Sequence, residues 1–390
     1  MRITRNVFIL GLLLLCFFHP FAQINKYRIA ILAPLYIDSA FDEFNNYRYG
    51  TQFPKFLNPG LEFYEGAQMA FDSLSQAHAP LEAYVYDTRS AKESLAQQLE
   101  KIANDSVKLI LAYSNPEESW NISNTARSKK IPYININLPN DAGISADPFF
   151  VMMNSTLETH IHFIYRYIQK NYPLNPLVMF RKKGKMEDMI HSYFSEAAKN
   201  TAGAALKINY VDLPDSFTVD QLTSKLDSEQ HAVCISGSLD EDFGRRLAQA
   251  LASVSKSYPI TLVGMPTFDN LTRDFTGPQY KGLEIVYSTP FYNARTDKVS
   301  EEIVDSFNAR MFARPSDLVM RGYEATWKFS KLLIKYGTDF AANITKKEFN
   351  VFRELDIQPV INKQTNTIDY YENKKLFFIK WQDGIIKGVN

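Results

Sequence analysis

From Tyr27 to Val263 the chain alternates short apolar runs with longer stretches whose apolar residues recur every three or four positions. Tyr27 and Arg28 lead into Ile29–Ala33, an unbroken run closed by Pro34, as expected for a parallel strand covered on both faces. After a long loop, Phe63, Ala67, Ala70, Phe71 and Leu74 recur at helical spacing within Glu62–Leu74. The same move repeats. Strands are predicted at Glu82–Asp87, Val107–Ala112, Pro132–Ile136 and Phe149–Met153, with helices at Ala91–Ala103, Ser119–Lys129 and Leu157–Lys170. After a break at Tyr172-Pro173-Leu174-Asn175-Pro176 a second series runs through strands at Leu177–Phe180, Leu206–Val211, Ala232–Ile235, Ile260–Val263 and Gly282–Tyr287, with helices at Met186–Asn200, Val219–Leu226 and Asp242–Ser255.

Strands separated by helices require right-handed crossovers and a mostly parallel sheet, so the pattern predicts two Rossmann-like, doubly wound α/β lobes. Past Thr289 it turns to helices, Ser300–Phe312 and Asp317–Tyr336. It closes on three short segments, Thr367–Tyr371, Leu376–Trp381 and Ile385–Val389, read as antiparallel strands about the turn signal Asp383-Gly384.

Composition narrows the class. The 390 residues are 45% hydrophobic and 22% charged, a globular balance with room for two domains. Forty-three lysines and arginines meet 43 aspartates and glutamates, so no net field draws the chain to nucleic acid or anionic lipid. Arg2 and Arg5 precede the apolar run Val7–Phe18, too short to span a bilayer and followed by Ala22. This predicts a signal peptide over 1–23, cut near Gln23, and export to the periplasm; Leu15 before Cys16 argues against a lipid anchor. The mature chain would then keep one cysteine, Cys234, in an apolar strand, and so no internal disulfide.

Signatures of catalysis are missing: there is no nucleophile elbow, no zinc-protease helix and no phosphate-cradling glycine loop, so no enzyme activity and no cofactor are expected. Glu158-Thr159-His160-Ile161-His162 comes nearest to a metal pattern, but on a helix residues two apart diverge, so no metal site is expected. In an open α/β sheet ligands sit beyond the carboxyl ends of the strands. That rule selects Tyr36, Tyr113, Ser114, Asn115, Asn135 and Asn137 in the first half, and Arg181, Lys182, Ser236, Ser238 and Thr267 in the second. Ser114-Asn115-Pro116 and Asp269-Asn270 read equally well as helix caps.

Three stretches carry a resemblance. RIAILAPL followed by EFYEGAQMAFDSL, then CISGSLDEDFGRRLAQALASVSKSYPITLVGMPTFDN, then GYEATWKFSKLL, in that order, resemble the type I periplasmic binding proteins, the leucine/isoleucine/valine-binding group that serves ABC transporters. The resemblance implies two lobes joined by three crossings and closing on a small ligand, with an ABC permease as partner. It assigns 24–155 and 289–345 to the N-terminal lobe, and 156–288 and 346–390, including the final hairpin, to the C-terminal lobe. Amino-acid binders of the group hold the ligand carboxylate with a hydroxyl and backbone amides after the third and fourth strands, and the ammonium with an acid after the second-lobe Gly-Pro loop. Here Ser114 matches, but Asn135-Ile136-Asn137-Leu138-Pro139 lacks a threonine and Gly264-Met265-Pro266-Thr267 lacks the acid. The expected function is capture of a small polar ligand, amino-acid-like or anionic, for uptake or sensing. The alternative is a module that has lost its ligand and serves as an envelope interaction or cell-wall regulatory factor.

Overall fold

The computed structural model describes residues 26–389, so the segment 1–23 read as a signal peptide, with Cys16, lies outside the described residues. Its first half runs β1 (Tyr27–Ala33), α1 (Asn58–Gln76), β2 (Leu81–Asp87), α2 (Leu95–Asn104), β3 (Leu109–Ala112), α3 (Pro116–Lys129), β4 (Tyr133–Asn135) and β5 (Phe150–Met152). The second half runs α4 (Leu157–Asn171), β6 (Leu177–Arg181), α5 (Lys185–Asn200), β7 (Ile208–Asp212), α6 (Val219–Thr223), β8 (Ala232–Ser236), α7 (Glu241–Val254), β9 (Ile260–Gly264) and β10 (Glu284–Thr289). Then come α8 (Lys298–Met311), α9 (Asp317–Tyr336), β11 (Ile357–Ile361), β12 (Ile368–Asn373), β13 (Phe377–Gln382) and β14 (Ile385–Val389).

These strands make two seven-stranded sheets, ordered β11-β12-β5-β4-β3-β1-β2 and β14-β13-β10-β9-β8-β6-β7. In β1 the two faces feed two cores: Ile29, Ile31 and Ala33 pack beneath α1 and α9, while Ala30 and Leu32 pack with Ile102 and Ile122 of α2 and α3. Such two-sided burial is why the central strands read as continuous apolar runs. The second sheet repeats the arrangement, with Phe180 and Cys234 facing α7 and Met179 and Ile235 facing α4 and α5.

The end of the chain corrects the expected assignment. β12 lies parallel to β5, and β11 pairs antiparallel with β12 at the outer edge. Residues 357–373 therefore complete the first sheet rather than the second. The physical reason is the fit of their apolar side chains, since Leu355, Ile357 and Tyr371 join one core of that lobe and Tyr370 the other. β11 escaped the sequence reading because Pro359 interrupts it, and proline is tolerated here only because the strand is an edge. The hairpin β13–β14 does close the second sheet, antiparallel to β10.

Helices α8 and α9 return to the first lobe. Val319, Met320 and Tyr323 of α9 and Ile303 and Phe307 of α8 pack on Met69 and Ala70 of α1. The α1–α9 crossing depends on missing side chains: a Cβ on Gly66 would stand 2.1 Å from the Val319 carbonyl oxygen, and one on Gly322 2.6 Å from that of Phe63. The backbones touch where each helix supplies a glycine. The chain thus passes between the sheets three times, after β5, after β10 and after β12.

Candidate functional site

Around the ends of β3 and β4 the polar groups turn inward. The Ser114 hydroxyl is buried, 2.7 Å from Ser119 Oγ and 2.9 Å from the Tyr133 hydroxyl, and it accepts from Asn135 Nδ2 at 2.9 Å. The loop amides are answered as well. Ser114 N–H donates to Asn137 Oδ1 at 2.9 Å, Asn137 N–H to Asn135 Oδ1 at 3.0 Å, and Asn115 N–H to Glu118 Oε2 at 2.9 Å. Asn115 closes a capping box on α3. Four of the expected residues therefore form a self-satisfied network at the mouth of the first sheet.

Tyr36 follows β1 in a left-handed conformation, φ 56°. The Asp87 carboxylate holds it there, accepting the N–H groups of Leu35, Tyr36 and Ile37 at 2.9, 3.1 and 2.8 Å. Its ring meets Phe56 edge-on with centroids 5.0 Å apart, and the Arg89 guanidinium lies 5.9 Å from it. Tyr113 is half-buried against the core, and burial raises its phenol above the usual range.

Across from these, the second sheet's cations are neutralised within their own lobe. Arg181 pairs with Asp212 at 2.7 Å and Asp188 at 2.9 Å, and Lys182 with Asp240 at 2.7 Å and Asp215 at 3.3 Å. Ser238 is buried and donates to Glu187 Oε1 at 2.6 Å. The hydroxyls of Ser236 and Thr267 are shielded from solvent without a protein partner, and Thr267 lines an interlobe groove of about 1460 Å³. That groove is walled by Asp141, Tyr370 and Glu372 on the first lobe's side and by Phe163, Met189 and Leu239 on the second's. Of the eleven expected residues only Thr267 borders it.

The charged groups that reach toward the opposite lobe come from elsewhere. Arg321, in the second turn of α9, donates through Nη2 to the Ile136 carbonyl and to Asn154 Oδ1, joining the ends of β4 and β5. Its guanidinium faces the Phe291 ring from 5.8 Å. The surrounding walls desolvate it and lower its pKa to about 10, still a cation at neutral pH. Asp269, just after β9 in the second lobe, accepts the Thr289 hydroxyl at 3.2 Å, and desolvation raises its carboxyl. The first acid after Gly264-Met265-Pro266-Thr267 is Asp269, two residues beyond Thr267.

Arg321 was legible in principle. Arg321, Glu324 and Lys328 recur at helical spacing on the apolar stripe of α9, and charges on a core face require a partner or a task. Glu324 and Arg353 form a buried pair at 3.1 Å with side chains 1% and 9% exposed. Arg353 also lies 3.8 Å over Phe291 and donates to the Tyr292 carbonyl at 3.2 Å, both on the second crossing. At the other crossings Glu372 accepts the Thr156 N–H at 2.6 Å, while Lys374 donates to Glu372 at 2.5 Å and to Thr159 at 2.8 Å. The three passages between lobes are tied together by ions.

His160 and His162 part company as helix geometry requires. His160 is buried with Nδ1 2.8 Å from the Ser288 hydroxyl, whereas His162 borders the groove. Among the described residues no three His, Cys, Asp or Glu side chains gather as a metal site. Desolvation pushes the His160 pKa from 6.5 down to about 3. The unfolded chain then takes up this proton first as pH falls. The contribution is intact above about 6.5 and is lost toward about 3, at about 1.4 kcal/mol per pH unit. Between pH 7.5 and 5.0 the wild type should lose about 2 kcal/mol more than His160→Asn in urea unfolding, and equal losses would refute the neutral, buried assignment.

With this geometry in view, comparison with known proteins is direct. A family model described as periplasmic binding protein matches residues 58–356. Among solved structures, a branched-chain amino acid ABC transporter periplasmic ligand-binding protein from Burkholderia xenovorans is similar at 14% identity and TM-score 0.63, covering 94% of this chain and 95% of its own. An ABC transporter substrate-binding protein from Desulfitobacterium hafniense, complexed with leucine, is similar at 12% identity and TM-score 0.58, covering 93% and 100%. A solute-binding protein from R. palustris, complexed with benzoate, shows 14% identity and TM-score 0.52, covering 94% and 96%. No curated protein sequence matches. Two doubly wound lobes, three crossings and a matching model over most of the chain lead to one statement: the chain belongs to the periplasmic binding protein family, a family of solute-binding proteins with the type I fold.

Proposed function

We propose that this protein, exported after cleavage near Gln23, captures a small carboxylate between its lobes for ABC-type uptake or for sensing. The observation that carries the reading is the interlobe groove of about 1460 Å³ between two mostly parallel sheets, with Thr267 after β9 on its wall, in a class of fold whose open sheets take ligands beyond their strand ends. Ionic ties at the crossings supply a hinge about which the lobes close on the ligand. Leucine and benzoate, carried by two structural relatives, share a carboxylate on an apolar body. A groove with aromatic walls and cationic side chains such as Arg166 and Lys374 suits that class.

The test is a thermal-shift screen with leucine, glutamate, benzoate, succinate, glucuronate, glucose and adenine. A probe bound with near-micromolar affinity and present at 100 times its Kd should add about 2.7 kcal/mol of stability. Silence from every probe sinks the proposal. A second reading, an interaction module that binds no solute, draws support from the internally satisfied amides after β3 and β4. It predicts that silence.

A further inference from the structure

We infer that Arg321 is the group that receives the ligand's carboxylate, in place of the loop amides and the Ser114 hydroxyl. The inference rests on the solute-binding reading and names the chemistry of its site. Four other arginines near the cleft and its crossings already face carboxylates: Arg89 on Glu118, Arg181 on Asp212, Arg295 on Asp317 and Arg353 on Glu324. Arg321 does not. Its acceptors, the Ile136 carbonyl and the Asn154 amide oxygen, are neutral, and both occupy Nη2. Nε and Nη1 have no hydrogen-bond partner among the described residues.

A half-buried guanidinium that pairs with no carboxylate keeps a free edge, and a planar fork with a free edge matches a carboxylate bidentately. The Nη2 bonds fix its plane, and Phe291 closes one side. Asp269, on the opposite lobe, favours the Arg321 charge but makes no ion pair with it. A ligand whose carboxylate rests on Arg321 and whose amine or hydroxyl points to Asp269 therefore touches both lobes at once, and closing the cleft strengthens both contacts. This selects small amino- or hydroxy-carboxylates over neutral sugars and nucleobases.

The experiment compares wild type, Arg321→Gln, Arg321→Lys, Asp269→Asn and Arg181→Gln by calorimetric titration with leucine, glutamate, benzoate, succinate, glucose and adenine. The expected result is carboxylate binding that weakens at least tenfold in Arg321→Gln, recovers in part in Arg321→Lys and is unchanged in Arg181→Gln. Asp269→Asn should weaken leucine and glutamate but leave benzoate within twofold. Binding of a carboxylate to Arg321→Gln within twofold of wild type overturns the inference, as does a wild type that takes only glucose or adenine; solute capture itself then still stands. No binding by any probe overturns solute capture along with it. In the wild type, the same carboxylate should also shield Arg321 from phenylglyoxal, read as loss of the modified peptide by mass spectrometry, and unshielded modification in the presence of bound carboxylate counts against the assignment.

Discussion

A Gly66→Val protein should lose about 3 kcal/mol or more of unfolding free energy, read as a lower urea midpoint by circular dichroism. The position lies where α1 crosses α9, and a Cβ there would sit 2.1 Å from the Val319 carbonyl oxygen, well inside any real contact. The obstructing atom belongs to helical backbone in the first turn of α9, so no rotamer change relieves it. The helices must separate, and the buried contacts of Met69, Ala70, Val319 and Tyr323 beside the crossing loosen together. Overpacking of this kind ordinarily costs 1–3 kcal/mol, and a rigid helix pair places it at the upper end. Gly66→Ala should cost less but still destabilise. A Gly66→Val midpoint within experimental error of wild type would mean that the two backbones do not touch.

The second large effect is expected at the hinge. Glu324→Gln leaves the Arg353 guanidinium buried without its counter-charge, and should cost about 3–5 kcal/mol. Arg353→Met leaves the carboxylate stranded and should cost a similar amount. Burial raises the Glu324 carboxyl and lowers the Arg353 guanidinium, and each partner's charge opposes that shift in the other. Removing both, as Glu324→Leu with Arg353→Met, should restore most of the loss, because an apolar pair of similar volume is often as good as a buried ion pair. Urea unfolding of all four proteins gives the coupling directly; costs that simply add would show that the pair does not act as a unit. The geometry also predicts a consequence for closure, since Arg353 stacks on Phe291 and lies 5.2 Å from Phe377, one on each of two crossings.

What could be read in the sequence, and what could not, follows from where the information is local. The central strands were legible because burial on both faces leaves runs such as Leu109–Ala112 and Ala232–Ser236 without a polar residue before their last positions. The start of α3 was legible from Asn115 and Pro116, a cap and a first-turn proline. The ownership of β12 was not, because its partner β5 lies more than two hundred residues upstream and three residues of chain separate it from the strand of the other sheet. The strand-end rule located the right loops but carried no information about which way a side chain turns. Ser114 and Asn135 lie on those loops and face the core, satisfied by Ser119 and Tyr133 from α3 and β4. Arg321 stands on a helix, outside the reach of the rule; its charge on the apolar stripe of α9 was a sequence signal, but its place over the ends of β4 and β5 is set by the fold.

The last strands have a further meaning for biogenesis. β12 covers the edge of β5 and β13 that of β10, so both sheets keep an open flank until residues 357–389 have been synthesised. Pairings over such separations form slowly, because a long loop must close before any contact rewards it. A polypeptide that withholds its final stitches remains pliable while it is being made. Under the export proposed above, such tardiness is an asset, and the tail sets the clock.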